Sequence, residues 1–171
     1  MTSGARFATR LAEERDAAAI ARIYNEGIAD RVATFETEPR TAEDIVRVLR
    51  ERGARWPTVV VERDAAVIAW AGASEYRPRA AYTGVGESVY VARDARGAGA
   101  GRAAMEALIA ECEARGMWKL VSRVFPENEA SRRLLARIGF REVGTYRRHG
   151  KLDGQWRDTV IVEKLIGEAA R

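Results

Sequence analysis

Apolar residues recur along the chain with two periods, one near 3.6 and one near 2, and the switches between them predict the elements. Within residues 16–28, Ile20, Ile23, Tyr24 and Ile28 stand at i, i+3, i+4 and i+8, the single apolar face of a helix. Thr41 suits the N-cap of a second helix to about Arg52, with Ile45, Val48 and Leu49 inward and Gly53 as its stop. A third helix runs from about Arg102 to Arg115, burying Met105, Leu108, Ile109 and Cys112, and Gly116 ends it. A short fourth starts at Asn128 or Glu129 and turns Leu134, Leu135 and Ile138 inward. Between the helices lie β-branched and aromatic runs at 7–11, 58–62, 67–75, 85–91, 119–124, 141–147 and 156–164. Turns at 63–66 and 152–155 join the second to the third run and the sixth to the seventh. The order is β-αα-βββ-α-β-α-ββ. It mixes hairpins with helical crossovers, so the fold class is α+β around a mostly antiparallel sheet. With no repeat, linker or low-complexity stretch, 1–171 reads as a single domain.

Composition narrows the function classes. Lys and Arg number 29 against 25 Asp and Glu, a net charge of +4, and the charges are interspersed rather than gathered in a tail or block. Nucleic acid is therefore not the leading partner. One cysteine forbids an intrachain disulfide and fits a reducing, cytoplasmic setting. Cys112 reads as a small core residue. One Cys with one His, His149, does not make a zinc site of the usual kind, and no metal is expected. The start of the chain carries no hydrophobic signal core, and the longest uncharged apolar run, 65–74, is far below the ~18 residues a bilayer needs.

The candidate chemistry centres on residues 87–102. A strand runs into Arg96, Gly97, Gly99 and Gly101, and a helix follows. Strand, glycine turn and helix N-terminus make an anion site, because free N–H groups and the helix dipole face outward and glycine lets a phosphate reach the main chain. The P-loop ending Gly-Lys-Ser/Thr is missing. Gly99, Gly101 and Ala104 fit the dinucleotide spacing, yet they lie too far past the strand end, and no acid closes the next strand at 120–124. What remains is Arg-x-x-Gly-x-Gly, filled by Arg96, Gly99 and Gly101, or else a loop that merely turns the chain.

Here the chain resembles the GNAT superfamily of acetyl-CoA-dependent N-acetyltransferases, and its element order matches that fold along nearly the whole chain. The resemblance implies a twisted, mostly antiparallel sheet flanked by helices and splayed at the coenzyme site, between strands 88–91 and 120–124. It implies acetyl-CoA as co-substrate, with Arg96, Gly97, Ala98, Gly99, Ala100, Gly101 and Arg102 around its pyrophosphate. Val89, Tyr90 and Val91 would lie along its pantetheine arm. Asn128 with Ser131 matches the family's Asn-x-x-Ser/Ala, whose Asn contacts the coenzyme; Asn128 is equally a sound N-cap.

Acetyl transfer to an amine needs a proton acceptor, because the ammonium form does not attack, and a means for the thiolate to leave. Glu87 is the best-placed acceptor. The run 85–91 looks like the segment bearing the proposed catalytic Glu of phosphinothricin N-acetyltransferases; the alternative is an ordinary strand carboxylate. Where many GNAT enzymes carry Tyr, and that branch His, this chain has Leu135. Tyr90, Tyr146 or water then protonates the thiolate, or nothing does, and His149 is as plausibly a surface residue as a catalytic one. For the acceptor, Pro78 predicts an extended segment with Arg77 and Arg79 on one face, suited to two oxyanions; two solvated arginines are the plain alternative. Phe35 lines a pocket or caps the core. The runs 34–36 (with Phe35 and Glu36), 76–82 (with Arg77, Arg79 and Tyr82), 125–128 and 147–158 resemble the phosphinothricin/arsinothricin N-acetyltransferase branch, the last two closest to the arsinothricin enzymes. Those acetylate the α-amino group of glutamate-like toxins, conferring resistance, and are typically homodimers. Other readings are a general amino-acid N-acyltransferase, for example on methionine sulfoximine or sulfone, and a non-catalytic acetyl-CoA-binding module, against which Glu87 argues.

Overall fold

The computed structural model describes residues 7–92 and 99–171. Its elements follow the predicted order: β1 (Ala8–Leu11), α1 (Ala17–Asp30), α2 (Ala42–Arg52), β2 (Thr58–Arg63), β3 (Ala66–Glu75), β4 (Val85–Ala92), α3 (Ala100–Ala114), β5 (Lys119–Val124), α4 (Glu129–Arg137), β6 (Arg141–Leu152) and β7 (Gln155–Leu165). The seven strands form one open sheet in the order β1-β2-β3-β4-β5-β7-β6. Every neighbouring pair is antiparallel except β4 and β5.

The centre of the sheet explains its sequence. β2 and β3 are buried on both faces, so their apolar runs are nearly continuous instead of alternating. Val60, Val67 and Trp70 pack against Ile20 and Ile23 of α1 and Ile45 of α2. On the other face Val59, Val61, Ala69, Ala71 and Ala73 meet Met105, Leu108 and Cys112 of α3. The three alanines are small enough to bring α3 close. Each fully buried Leu, Ile or Met on these faces contributes about 1.5–3 kcal/mol. Val48, Leu49 and Ile109, expected inward, are half-buried at the rims.

The helix caps carry local signals. Thr41 Oγ1 accepts from Asp44 N at 3.1 Å while the Asp44 carboxylate accepts from Thr41 N at 2.9 Å, a reciprocal capping box. Asp16 does not begin α1. It is 5% exposed and takes two bonds from the Arg10 guanidinium, at 2.7 and 2.9 Å. That guanidinium holds its carboxyl below the usual range.

Two differences from the sequence reading bear on the site. Helix α3 begins at Ala100, not Arg102, because Gly99 adopts φ +80 and takes the N-cap position. Strand β6 extends to Leu152, well past residue 147, and a two-residue turn, Asp153 (φ 48) and Gly154 (φ 77), joins it to β7. The extension passes through a bulge at Arg148 (φ 50), whose N–H donates to Asp158 Oδ1 at 2.7 Å. As the outer strand it is exposed through most of its length, so charged residues sit there without penalty.

The parallel pair positions everything that follows. β4 and β5 share three rungs, Val85↔Lys119, Gly86↔Leu120 and Glu87↔Val121, and then diverge. Two buried serines span the opening: Ser122 Oγ donates to the Ser88 carbonyl at 2.8 Å and Ser88 Oγ to the Val121 carbonyl at 3.4 Å. The predicted splay is therefore present, between the predicted strands.

Candidate active site

The opening seam leads into a cleft of about 430 Å³. Tyr90, Val91 and Ala92 of β4 form one wall, and the start of α3, Gly99 to Arg102, forms its end. Asn128, Ser131, Leu134 and the arginines 133 and 137 of α4 close the other side, opposite Gly27 and Val32. Of the predicted coenzyme residues, Tyr90, Val91, Gly99, Ala100, Gly101, Arg102, Asn128 and Ser131 converge here. Val89 does not line this cleft, and Arg96, Gly97 and Ala98 lie outside the described residues.

The cleft fits a phosphate-bearing coenzyme on its own geometry. The α3 N-terminus presents free N–H groups and about half a positive charge. Gly99 has no side chain and sits in the left-handed region at the cap. A Cβ on Gly101 would stand 3.2 Å from Leu134 Cδ2 and 3.3 Å from Tyr90 Cε2, so that position stays bare for packing reasons as well. Arg102 pairs with Glu106 at 2.7 Å and Arg133 with Glu129 at 3.1 Å, whereas Arg137 carries no ion pair among the described residues. The α4 residues at the cleft, Ala130, Arg133, Leu134 and Arg137, repeat at helical spacing, a signal that points to them from sequence once the cleft is known.

Asn128 is the N-cap that the sequence predicts, and it lines the cleft. Its Oδ1 accepts from Ser131 N at 3.2 Å and caps α4, and its Nδ2 donates to the Val32 carbonyl at 3.3 Å, tying the loop after α1 to the cleft. Leu135 is 1% exposed within the core cluster, so the family's acid position points into apolar packing here. Tyr90 is the phenol at the cleft wall. Burial pushes its hydroxyl above the ordinary value, and the Ser131 side chain draws it part of the way back. Tyr146 lies 51% exposed on β6, stacked obliquely on His149 at 4.8 Å between ring centroids.

Glu87 stands on the last shared rung, opposite Ser74 of β3. Its Oε1 is 3.1 Å from Arg123 Nη1, and the two side chains are 30% and 40% exposed. The pair orients the carboxylate at the point where the two strands part. Arg123 escaped the sequence reading, because a cation in a strand that also carries Lys119 and Ser122 draws no notice.

The predicted acceptor residues are placed less uniformly. The segment at 77–79 is not extended: Arg79 N donates to the Arg77 carbonyl at 2.8 Å, closing a tight turn about Pro78. The alternation argument for one shared face does not survive that turn. Both arginines are exposed, and the Arg77 guanidinium lies 5.1 Å from the centroid of the Tyr76 ring, which meets Tyr82 edge-on at 5.6 Å. Phe35 packs edge-on against Phe125 at 4.9 Å and fills the space over Gly150. Glu36 is held by Arg40 through two bonds, at 2.8 and 2.7 Å.

Residues 20–140 match the acetyltransferase (GNAT) family. The phosphinothricin N-acetyltransferase of Alcaligenes faecalis is 37% identical over 161 residues, 92% of this chain and 81% of that protein. The phosphinothricin N-acetyltransferase of Streptomyces coelicolor is 34% identical over 171 residues, 97% of this chain and 100% of its own. Among solved structures, a GNAT superfamily phosphinothricin acetyltransferase from Sinorhizobium meliloti in complex with AcCoA superposes with a TM-score of 0.85 at 30% identity. It covers 95% of this chain and 89% of that one.

Proposed function

The chain belongs to the GNAT family and is an N-acetyltransferase that uses acetyl-CoA, and from that premise we propose that it acetylates the α-amino group of a glutamate-like toxic amino acid such as phosphinothricin or arsinothricin. The single observation that carries this reading is the position of Glu87. It stands on the last β4–β5 rung, where the two strands part, with its carboxylate beside Arg123.

Acetyl-CoA supplies an activated acetyl group as a thioester; the chain supplies placement and proton traffic. Glu87 takes the proton from the acceptor's ammonium, directly or through one water, since only the free amine attacks. Past the last β4–β5 rung, the main chain of Val89, Tyr90 and Val91 would run alongside the pantetheine arm. Gly99, Gly101, Arg102, Asn128 and Ser131, with Arg133 and Arg137, hold the anionic end of the coenzyme. Tyr90, the phenol on the cleft wall, would be the side chain to protonate the departing thiolate. Arg77 and Arg79, with Tyr82, Phe35 and Glu36, make up the acceptor side. The reading includes a homodimer, which the exposed Val143, Tyr146 and Trp156 of the β6–β7 hairpin favour and light scattering checks.

The test is turnover with acetyl-CoA and a panel containing phosphinothricin, arsinothricin, methionine sulfone, glutamate and a simple non-amino-acid amine. Preference for an acceptor with a second oxyanion supports the proposal. Turnover confined to the amine lacking a carboxylate overturns it.

A further inference from the structure

Between α1, α2 and the β3–β4 face lies a second space of about 150 Å³. That is room for about five waters, or for one oxyanion head group. Its charged lining is Arg40 and Arg52 with Glu36 and Asp44. Arg52 enters from the last turn of α2, and its Nη1 donates to Thr58 Oγ1 at 2.9 Å. The guanidinium lies over Gly72 of β3, where any Cβ would collide with it, so this strand glycine is what admits the charge to the sheet surface. The Trp70 indole also lines the space; the residue is 5% exposed and its Nε1 has no hydrogen-bond partner. Tyr24 meets Trp70 edge-on at 5.8 Å.

Two acids reach the same space, and both are already committed. Glu36 takes two bonds from Arg40, and Asp44 closes the α2 capping box while pairing with Arg47. Arg52 has no acidic partner among the described residues, and burial pulls its guanidinium below the ordinary value. An uncompensated guanidinium facing a cavity is costly, and an anion bound there relieves it.

The space adjoins the proposed reaction centre. Val89 lines it, and Val89 shares a strand face with Glu87, two residues away or about 7 Å. In the β3–β4 register Gly72 faces Val89 and Ser74 faces Glu87, while Arg77 and Arg79 follow beyond the end of β3. Glu87 thus lies between two cationic groups along one ladder.

We propose that this space is the subsite for the side-chain oxyanion of the acceptor, a carboxylate, phosphinate or arsonate bound by Arg52 beside the Trp70 ring. The amine of an amino diacid then sits at Glu87 and its α-carboxylate turns toward Arg77 and Arg79. The proposal rests on the acceptor-acetylating role given above to Glu87.

The chain has four tryptophans, so its ¹⁵N spectrum holds few indole signals, and the one lost in Trp70→Phe is that of Trp70. Titrating phosphinothricin into the wild-type protein shifts the Trp70 signal saturably. Arg52→Met abolishes the shift, and so does Gly72→Ala, which displaces the guanidinium without removing it. In turnover, Arg52→Met raises the KM for phosphinothricin by roughly ten- to a hundredfold, leaves methionine sulfone within about twofold, and Arg52→Lys recovers part of the loss. An unmoved Trp70 signal under phosphinothricin concentrations that saturate turnover refutes the subsite, as does equal weakening of both acceptors. If no amino acid is acetylated, the role of Glu87 fails instead, and the titration still reads the pocket directly.

Discussion

Glu87→Gln keeps the side-chain volume and one acceptor oxygen toward Arg123, and removes only the charge and the basicity. Its structural cost is bounded by the ion pair. At 3.1 Å, with 30% and 40% of the two side chains exposed, that pair contributes at most about 1 kcal/mol. For a chain of this size the melting temperature then falls by no more than about 2–4 °C. The catalytic cost is far larger if Glu87 is the base: a loss of about 10²–10⁴ in kcat, or about 2.7–5.5 kcal/mol of barrier. Thiol release from acetyl-CoA with phosphinothricin measures the rate, and calorimetry with acetyl-CoA should return wild-type affinity. The pH dependence carries the sign. Below the acceptor's own pKa the free-amine fraction drops tenfold per pH unit. A variant that relies on solution to deprotonate its substrate therefore gains rate as pH rises, and its deficit narrows as pH approaches the acceptor's own pKa. A folded Glu87→Gln protein with kcat within about twofold of wild type at neutral pH would refute the assignment.

Gly99→Asp should eliminate measurable acetyl-CoA binding by calorimetry. The φ of +80 strains any side chain, and a carboxylate at the α3 N-terminus repels phosphate; the built Cβ meets only Phe7 Cε2 at 3.6 Å, so a clash is not the cause. Arg77→Ala and Arg79→Ala should each raise the KM for phosphinothricin by roughly ten- to a hundredfold, leaving a neutral amine acceptor and acetyl-CoA unaffected. Because the turn at Pro78 separates their faces, the two effects need not be equal, and equal weakening of charged and neutral acceptors would make the arginines structural. Cys112 is fully buried, and burial pushes its thiol from 9.0 up to about 12. The native protein should resist aromatic disulfide reagents near pH 8 and yield one thiol when denatured. The unfolded chain releases that proton first, so this residue's contribution to stability is present below about pH 9 and fades toward pH 12, which denaturant melts read directly.

The fold was legible because periodicity reports burial, and burial sets the layers. The apolar run through Trp70 announced a strand, and the spacing of Met105, Leu108 and Cys112 announced a helix with one buried face; the fold then lays that helix on one side of the strand and α1 and α2 on the other. Legibility ended where burial ended: β6 runs to Leu152 through Arg147, Arg148 and His149, and an outer strand with no covered face has no pattern to show. The cleft was readable because its glycines, Asn128 and Ser131 form local motifs. Arg52 and Trp70 were not, since a cation in a helix's last turn and a tryptophan in an apolar strand have ordinary explanations. Only the tertiary fold faces them across one cavity. The restriction that proline places on its predecessor acts on Arg77 alone, so it gave no warning of the hydrogen bond that folds Arg79 back.

The parting of β4 and β5 after three rungs means that the sheet is two plates, β1–β4 and β5–β7, sharing a short hinge and two serine bridges. A ligand held in the cleft would touch β4, α3 and α4 together, an arrangement the unfolded chain lacks. The co-substrate therefore acts as a folding ligand: at about a hundredfold excess over its dissociation constant it adds about 2.7 kcal/mol to stability. The amount of intact protein in a cell becomes tied to the supply of coenzyme. Substitutions far from the cleft that weaken either plate are then masked when the coenzyme is plentiful and exposed when it runs short.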